Sequence, residues 1–199
     1  MKQVSVNEKA GITFSSAIKS FLRQDPDIIL IGEIRDEETA LLAIRAAQTG
    51  HLLLSSLHTN NAIGSIARLR DLGVANYLLA STLSCVIAQR LVRKLCPMCK
   101  VKIKISPKKE KELGLNGNII YKKKGCESCF DTGYRGRIAV AEILELSNKM
   151  RSLIEEGKST MYLENQMIDE GVLTLKQSIS DLIQAGITDD EEFYRVSYD

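Results

Sequence analysis

No apolar run in this 199-residue chain approaches the ~20 residues that a membrane-spanning helix needs, and its first residues lack the basic-then-apolar layout of a secretory signal. The resulting expectation is a cytoplasmic protein that meets a membrane only peripherally, through a partner. Strong charge of one sign is also missing: the formal net charge is +2, which gives the whole chain no reason to seek nucleic acid or a membrane surface. Aromatic residues are only 5% of the chain, and Tyr121 is nearly alone among the lysines that surround it, so bases would find few rings to stack on. There is no internal repeat and no low-complexity linker. No G-x4-G-K-[S/T] occurs, so the amide cradle and lysine that grip nucleotide phosphates are absent. Gly11 and Gly32 do not replace them, since neither stands in a glycine-rich strand-to-helix turn followed by lysine.

What is there suffices for a globular core: 44% hydrophobic and 26% charged residues give room for one large domain or one and a half. The informative stretch is residues 25–60, DPDIILIGEIRDEETALLAIRAAQTGHLLLSSLHTN. Its uninterrupted apolar run at residues 28–31 has no alternation, which predicts a strand buried on both faces of a parallel α/β sheet. A second run at residues 52–57 predicts the adjoining strand. Ligands of such sheets sit at the carboxyl ends of the strands, and that edge would gather Glu33, Arg35, Asp36, Ser55, Ser56, His58 and Thr59.

In chain order, residues 3–6 alternate and predict a short strand. Thr13 is placed to cap a helix over 14–23 that Pro26 stops. Asp36 caps the next helix, with Glu37 and Glu38 in the first turn where the dipole favours acids, and Gly50 ends it. Residues 62–72 carry a helical stripe of Ile63, Ile66, Leu69 and Leu72. A longer apolar helix is expected over 77–91, with Cys85 as a small core residue inside it. A strand over 138–144 follows, then helices near 148–156, 161–169, 174–185 and 189–197.

Cysteines supply the sharpest motif: C-x2-C at Cys96 and Cys99, then 26 residues, then C-x2-C at Cys126 and Cys129. Each pair lets two thiolates reach one ion from a single turn, and two pairs complete a closed tetrahedral zinc site, which is structural and not catalytic. Four unligated thiols or a redox pair are the alternatives. Between them, the segment from Lys100 to Lys124 holds nine lysines against two glutamates and promises little core of its own. Its basic face is expected to be solvated, or to meet an acidic partner or anionic headgroups, in preference to nucleic acid.

An apolar strand ending in an acid is also the layout of a Walker B segment, whose carboxylate holds Mg²⁺ or polarises an attacking water. Glu33 is the candidate, and His58 at the neighbouring strand end is placed to donate to a phosphate oxygen. The plainer alternatives are a salt-bridged surface glutamate and a structural histidine.

The runs QVSVNEKAGITF, FLRQDPDIILIGEIRDEETA, AAQTGHLLLSSLHTN, IAQRLVRKLCPMC and GYRGR resemble, in order and spacing, the C-terminal region of the type II secretion and type IV pilus assembly ATPases. On that resemblance GEIRD at residues 32–36 matches the Walker B motif and TGHLLLSSLHTN at 49–60 the family's His box. It implies catalytic roles for Glu33 and His58 and a nucleotide site drawing on Glu33, Arg35, Asp36, His58 and Thr59. The four cysteines match the tetracysteine zinc site of the pilus-extension and secretion branches, which argues against the retraction branch, and wording such as AAQTGHLLLS leans toward pilus assembly. The implied fold is α/β: a partial RecA-like P-loop NTPase sheet over residues 1–95, a zinc-binding insert over 96–129 and a mainly helical subdomain over 130–199. The implied setting is a homo-hexameric motor using ATP and Mg²⁺, working on an inner-membrane platform protein with a cytoplasmic docking protein. Lacking the P-loop, the Asp box and the N-terminal domains, the chain is expected to be a truncated motor or remnant without ATPase activity of its own. The alternative is a non-catalytic zinc-containing interaction module.

Overall fold

The computed structural model describes residues 2–198 and is a mixed α/β structure. Two compact units are present: Met1–Val86 with Glu145–Met167, and Ile87–Leu144 with Ile168–Asp199.

The first unit is built around a two-stranded parallel sheet of β1 (Ile28–Ile31) and β2 (Leu52–Ser55), in register Ile28 to Leu52 and Ile31 to Ser55. Helix α1 (Phe14–Phe21) starts at a capping box in which Thr13 and Ser16 satisfy each other's amides. Helix α2 (Glu37–Gln48) is the crossover that a parallel pair requires. Asp36 accepts the Thr39 amide at 2.8 Å as its N-cap, and Gly50 takes the left-handed backbone (φ 96°) that closes it. Helix α3 (Ala62–Asp71), capped by Asn61, precedes α4 (Asn76–Thr82), and α4 packs against α6 (Asn148–Glu155). Arg70 fastens α6 from outside, donating to the carbonyls of Ile154 (3.1 Å) and Lys158 (2.9 Å) at the helix's carboxyl end, where a cation is favoured.

The second unit holds most of β3 (Cys85–Leu95) and β6 (Tyr134–Glu145), which pair with each other. A small antiparallel ribbon, β4 (Val101–Lys104) with β5 (Ile119–Lys122), encloses helix α5 (Pro107–Glu112). Helix α7 (Thr160–Asp169) leads from the first unit into the second, where α8 (Leu175–Gln184) and α9 (Asp190–Tyr198) complete the chain.

Four expectations need correction. Residues 3–6 form no strand; they are exposed, and only the bridge between Asn7 and Ile12 follows, because no neighbouring strand among the described residues offers them hydrogen bonds. Strand β1 is buried on one face only: Ile29 and Ile31 are inside, Ile28 and Leu30 outside. The helix expected over 77–91 ends at Thr82, and β3 begins at Cys85. An apolar run without clear period suits either state, and here the ladder available from β6 decides it. Cys85 accordingly sits exposed on a strand and not in a core. The lysine-rich segment, finally, has a core: Ile105, Leu113, Leu115 and Ile120 are buried. Ser180 of α8 donates to the Leu113 carbonyl at 2.6 Å. The turn after α8 lies so close to Tyr121 that a Cβ on Gly186 (φ 65°) would stand 2.5 Å from the ring.

Candidate functional site

Parallel pairing brings the ends of β1 and β2 to one edge, and the chain stays tied beyond both strands. The Ile34 amide donates to the Ser56 carbonyl at 3.1 Å, and the Ser56 hydroxyl to the Gly32 carbonyl at 2.7 Å. These bonds hold Glu33 opposite His58, whose Nε2 lies 3.0 Å from Glu33 Oε2. The Arg35 guanidinium takes the other carboxylate oxygen at 2.5 Å. Glu33 is the most sheltered of the three side chains, 21% exposed against 69% for Arg35 and 85% for His58. Hydrogen bonding from Arg35 first, and from His58 second, holds the Glu33 carboxyl below the usual carboxylate range. It is therefore an anion at neutral pH, with its donors on the solvent side.

The other two residues that the resemblance assigns to a nucleotide site, Asp36 and Thr59, have local partners. Both Asp36 oxygens serve the helix cap, Oδ1 accepting from the Thr39 amide and Oδ2 from its hydroxyl at 2.9 Å. Thr59 lies 2.8 Å from the Ser65 hydroxyl of α3, which fastens the chain just after His58. The edge thus brings together Glu33, Arg35 and His58, with Asp36 and Thr59 anchoring the segments that carry them.

The second site is made by the four cysteines, whose sulfurs all lie within 4.8 Å of one another. Cys96 to Cys126 is 3.9 Å, Cys99 to Cys129 is 3.8 Å and Cys126 to Cys129 is 3.7 Å. A tetrahedron with bonds of about 2.3 Å places its sulfurs about 3.8 Å apart, so the set fits one zinc-sized ion with no open position. The Cys96 amide donates to the Gly133 carbonyl at 2.9 Å and joins the two knuckles. Burial and neighbouring thiols push Cys126 up to about 11. At Cys129 burial acts the same way but is outweighed by the amides of Cys126 (3.3 Å) and Gly133 (3.2 Å), which bring that thiol down to about 7.

Gly133 is a contributor that the sequence pattern did not single out. Its φ is 74°, and a Cβ there would meet Lys123 Cβ at 2.5 Å, so glycine is what lets its amide approach the sulfur. A glycine four residues after the last cysteine was the available signal.

Part of the basic segment's charge meets the chain's own acids. At the start of α9, Lys109 and Lys122 pair with Asp190, and Lys123 with Glu191 at 2.6 Å. The Tyr134 hydroxyl donates to Asp189 at 3.0 Å, and its ring carries the Arg93 guanidinium 4.0 Å from the centroid.

Residues 1–195 match the family model described as Type II/IV secretion system protein. The chain belongs to this family. Among its relatives is the type II secretion system protein E of Dickeya dadantii, 43% identical over 98% of this chain and 39% of that one. The type IV pilus assembly ATPase PilB of Thermus thermophilus is 44% identical over 96% of this chain and 22% of that one. The chain therefore spans well under half the length of these relatives. Among solved structures it resembles the pilus retraction motor PilT with bound ADP (TM-score 0.66, 28% identity, 94% of this chain and 44% of that one). The Legionella pneumophila ATPase DotB, at 19% identity and TM-score 0.66, shares the fold. As a member of the type II/IV secretion family, the chain has the α/β fold expected of it, with a four-cysteine cluster that could hold a metal ion. No helix among its described residues is long and apolar enough to cross a membrane.

Proposed function

We propose that this chain is the C-terminal part of a hexameric, cytoplasmic motor ATPase that powers type IV pilus assembly or type II secretion, and that it supplies one side of the ATP site. The observation that carries the reading is the Glu33 carboxylate at the carboxyl edge of a parallel strand pair, 3.0 Å from His58. Glu33 would hold Mg²⁺ or orient the attacking water, and His58 would donate to a phosphate oxygen. Mg²⁺, when bound with nucleotide, neutralises charge on the phosphates. Arg35 holds the Glu33 carboxyl further below the usual carboxylate range, and Asp36 and Thr59 fix the segments on which Arg35 and His58 ride.

On this reading residues 1–95 belong to the motor core, 96–129 to a zinc-bearing insert and 130–199 to a helical subdomain. Cys96, Cys99, Cys126 and Cys129 hold a structural zinc that locks two knuckles together. The partners are further subunits of the motor, an inner-membrane platform protein and a cytoplasmic docking protein, with any membrane contact made through them. A second reading, a non-catalytic interaction module, draws on the exposed Met98 and Phe130 beside the two knuckles.

Nothing in the sequence offers the phosphate cradle that the other side of an ATP site requires. Phosphate release from ATP and Mg²⁺ by the isolated chain is therefore expected to stay at background. Steady Mg²⁺-dependent release that follows the chain through purification would overturn the reading.

A further inference from the structure

The four clustered cysteines differ in access. Cys96, Cys99 and Cys129 are buried, whereas Cys126 is half-buried. Its outward side is thin. Gly125 before it has φ 108°, and a Cβ there would stand 2.9 Å from the Asp131 carbonyl, so this flank carries no side chain. Glu127 and Ser128 after it are exposed, and so is Phe130, at 90%. The Cys126 carbonyl accepts the amides of Cys129 (3.1 Å) and Asp131 (3.0 Å), which winds residues 126–131 into one tight turn with the Cys126 and Cys129 sulfurs 3.7 Å apart. Cys129 lies inside that turn, its sulfur accepting the amides of Cys126 and Gly133.

We infer that Cys126 is an oxidation site at which a hydroperoxide opens the cysteine cluster reversibly, through a disulfide to Cys129. This rests on the zinc site proposed above, since an ion bound there keeps all four sulfurs as thiolates. Oxidation follows thiolate character and exposure, so among four thiolates the accessible one reacts first. The Cys126 sulfur attacks one peroxide oxygen: an S–O bond forms, the O–O bond breaks, and hydroxide leaves and takes a proton from solvent. The Cys129 thiolate then attacks the Cys126 sulfur. The S–S bond forms, the S–O bond breaks, and a second hydroxide leaves and is protonated to water. Two thiolates have lost two electrons, and the peroxide has become two waters. Cys96 is 3.9 Å from Cys126 but stands on the other knuckle, its amide tied to the Gly133 carbonyl at 2.9 Å. Closing to an S–S bond of about 2.05 Å there would draw two turns together, whereas closing to Cys129 stays within one turn. The thiolates left, Cys96 and Cys99, are too few for a closed four-sulfur site.

The probe is one equivalent of hydrogen peroxide, added to the chain carrying Cys85→Ser, which removes the exposed thiol outside the cluster. Elemental analysis before oxidation tests the zinc site separately. Released zinc is read with a chromogenic chelator, and thiols are mapped by differential alkylation and peptide mass. The first product expected is a Cys126–Cys129 disulfide with about one zinc released for each. Cys126 should be oxidised at least about tenfold faster than Cys96 or Cys99. Amide exchange should quicken over residues 96–104 and 125–133, and dithiothreitol with zinc should restore it. A zinc-loaded chain whose first disulfide contains Cys96 or Cys99 overturns the inference alone. So does one in which Cys126 passes to sulfinic acid without a disulfide, or in which all four thiols survive excess peroxide. A chain that holds no zinc before oxidation removes the zinc site and this inference with it.

Discussion

Replacing Cys99 and Cys126 together with serine will empty the cysteine site and destabilise the second unit by at least about 5 kcal/mol, since closed tetrathiolate zinc sites contribute folding free energy on the order of 10 kcal/mol. Zinc, expected near one per chain in the unaltered protein, should fall to background by elemental analysis. The damage will be graded and not total. Leu113 and Ile120 are fully buried beside α8, so the ribbon keeps part of its packing when the knuckles open. The first proteolytic cuts should then fall near Met98 and Phe130, both already exposed, and a chelator acting on the unaltered protein should reproduce the pattern. An unaltered protein with no zinc and undiminished stability in chelator would remove the structural role of the four cysteines.

Glu192 carries the second large effect. Its side chain is fully buried; Oε2 accepts the Arg93 backbone amide at 2.7 Å and Arg195 at 2.7 Å, while Oε1 accepts Arg93 Nε at 2.7 Å. Burial alone would raise its pKa, but Arg195 and Arg93 outweigh burial and bring it to about 2. A carboxyl held below its unfolded value adds stability that is complete above about pH 4.5 and is lost as the pH falls through about 2, an amount near 3 kcal/mol. Asp190, held low by Lys109 and Lys122 in spite of its burial, and Glu191, held low by Lys123, titrate in the same sense. Asp189, raised by burial, opposes them in part. Glu192→Ala should cost about 3 kcal/mol at pH 7, the lower end for breaking a buried pair because both arginines are 43% exposed and keep some hydration. Urea unfolding followed at pH 7 and again at pH 3 should show the difference between the two proteins shrinking as Glu192 approaches protonation.

Local chemistry made much of the fold readable from the residues alone. The Thr13 and Asp36 caps, the Gly50 stop and the bounds of β1 are each set by neighbours within a few positions, and the structure repeats them. The meeting of Glu33 and His58 was legible for a related reason, since strand ends in a parallel pair must share an edge. What escaped depends on partners far along the chain. Whether residues 85–95 are helix or strand is decided by β6, some fifty positions away, and Cys85 follows that outcome. The core of the lysine-rich segment exists because α8 lies on β5. Lys109, Lys122 and Lys123 pair with carboxylates at the start of α9, whose clustering in sequence carries no statement of where they fold. The exposed face of β1 has a different cause, because a continuous apolar run reports what a strand is suited to bury and not whether the cover is present.

The measurement that bears most directly on the half-site is ATP turnover by a chimera in which this chain replaces the matching part of the Dickeya dadantii secretion protein. On the proposed reading the rest of that protein supplies the phosphate cradle, so Mg²⁺-dependent hydrolysis is expected, and Glu33→Gln should lower it at least about 100-fold while leaving the melting temperature unchanged. An active chimera in which Glu33→Gln keeps turnover within about twofold of the unaltered value would contradict the catalytic role of Glu33 and of the edge it shares with His58.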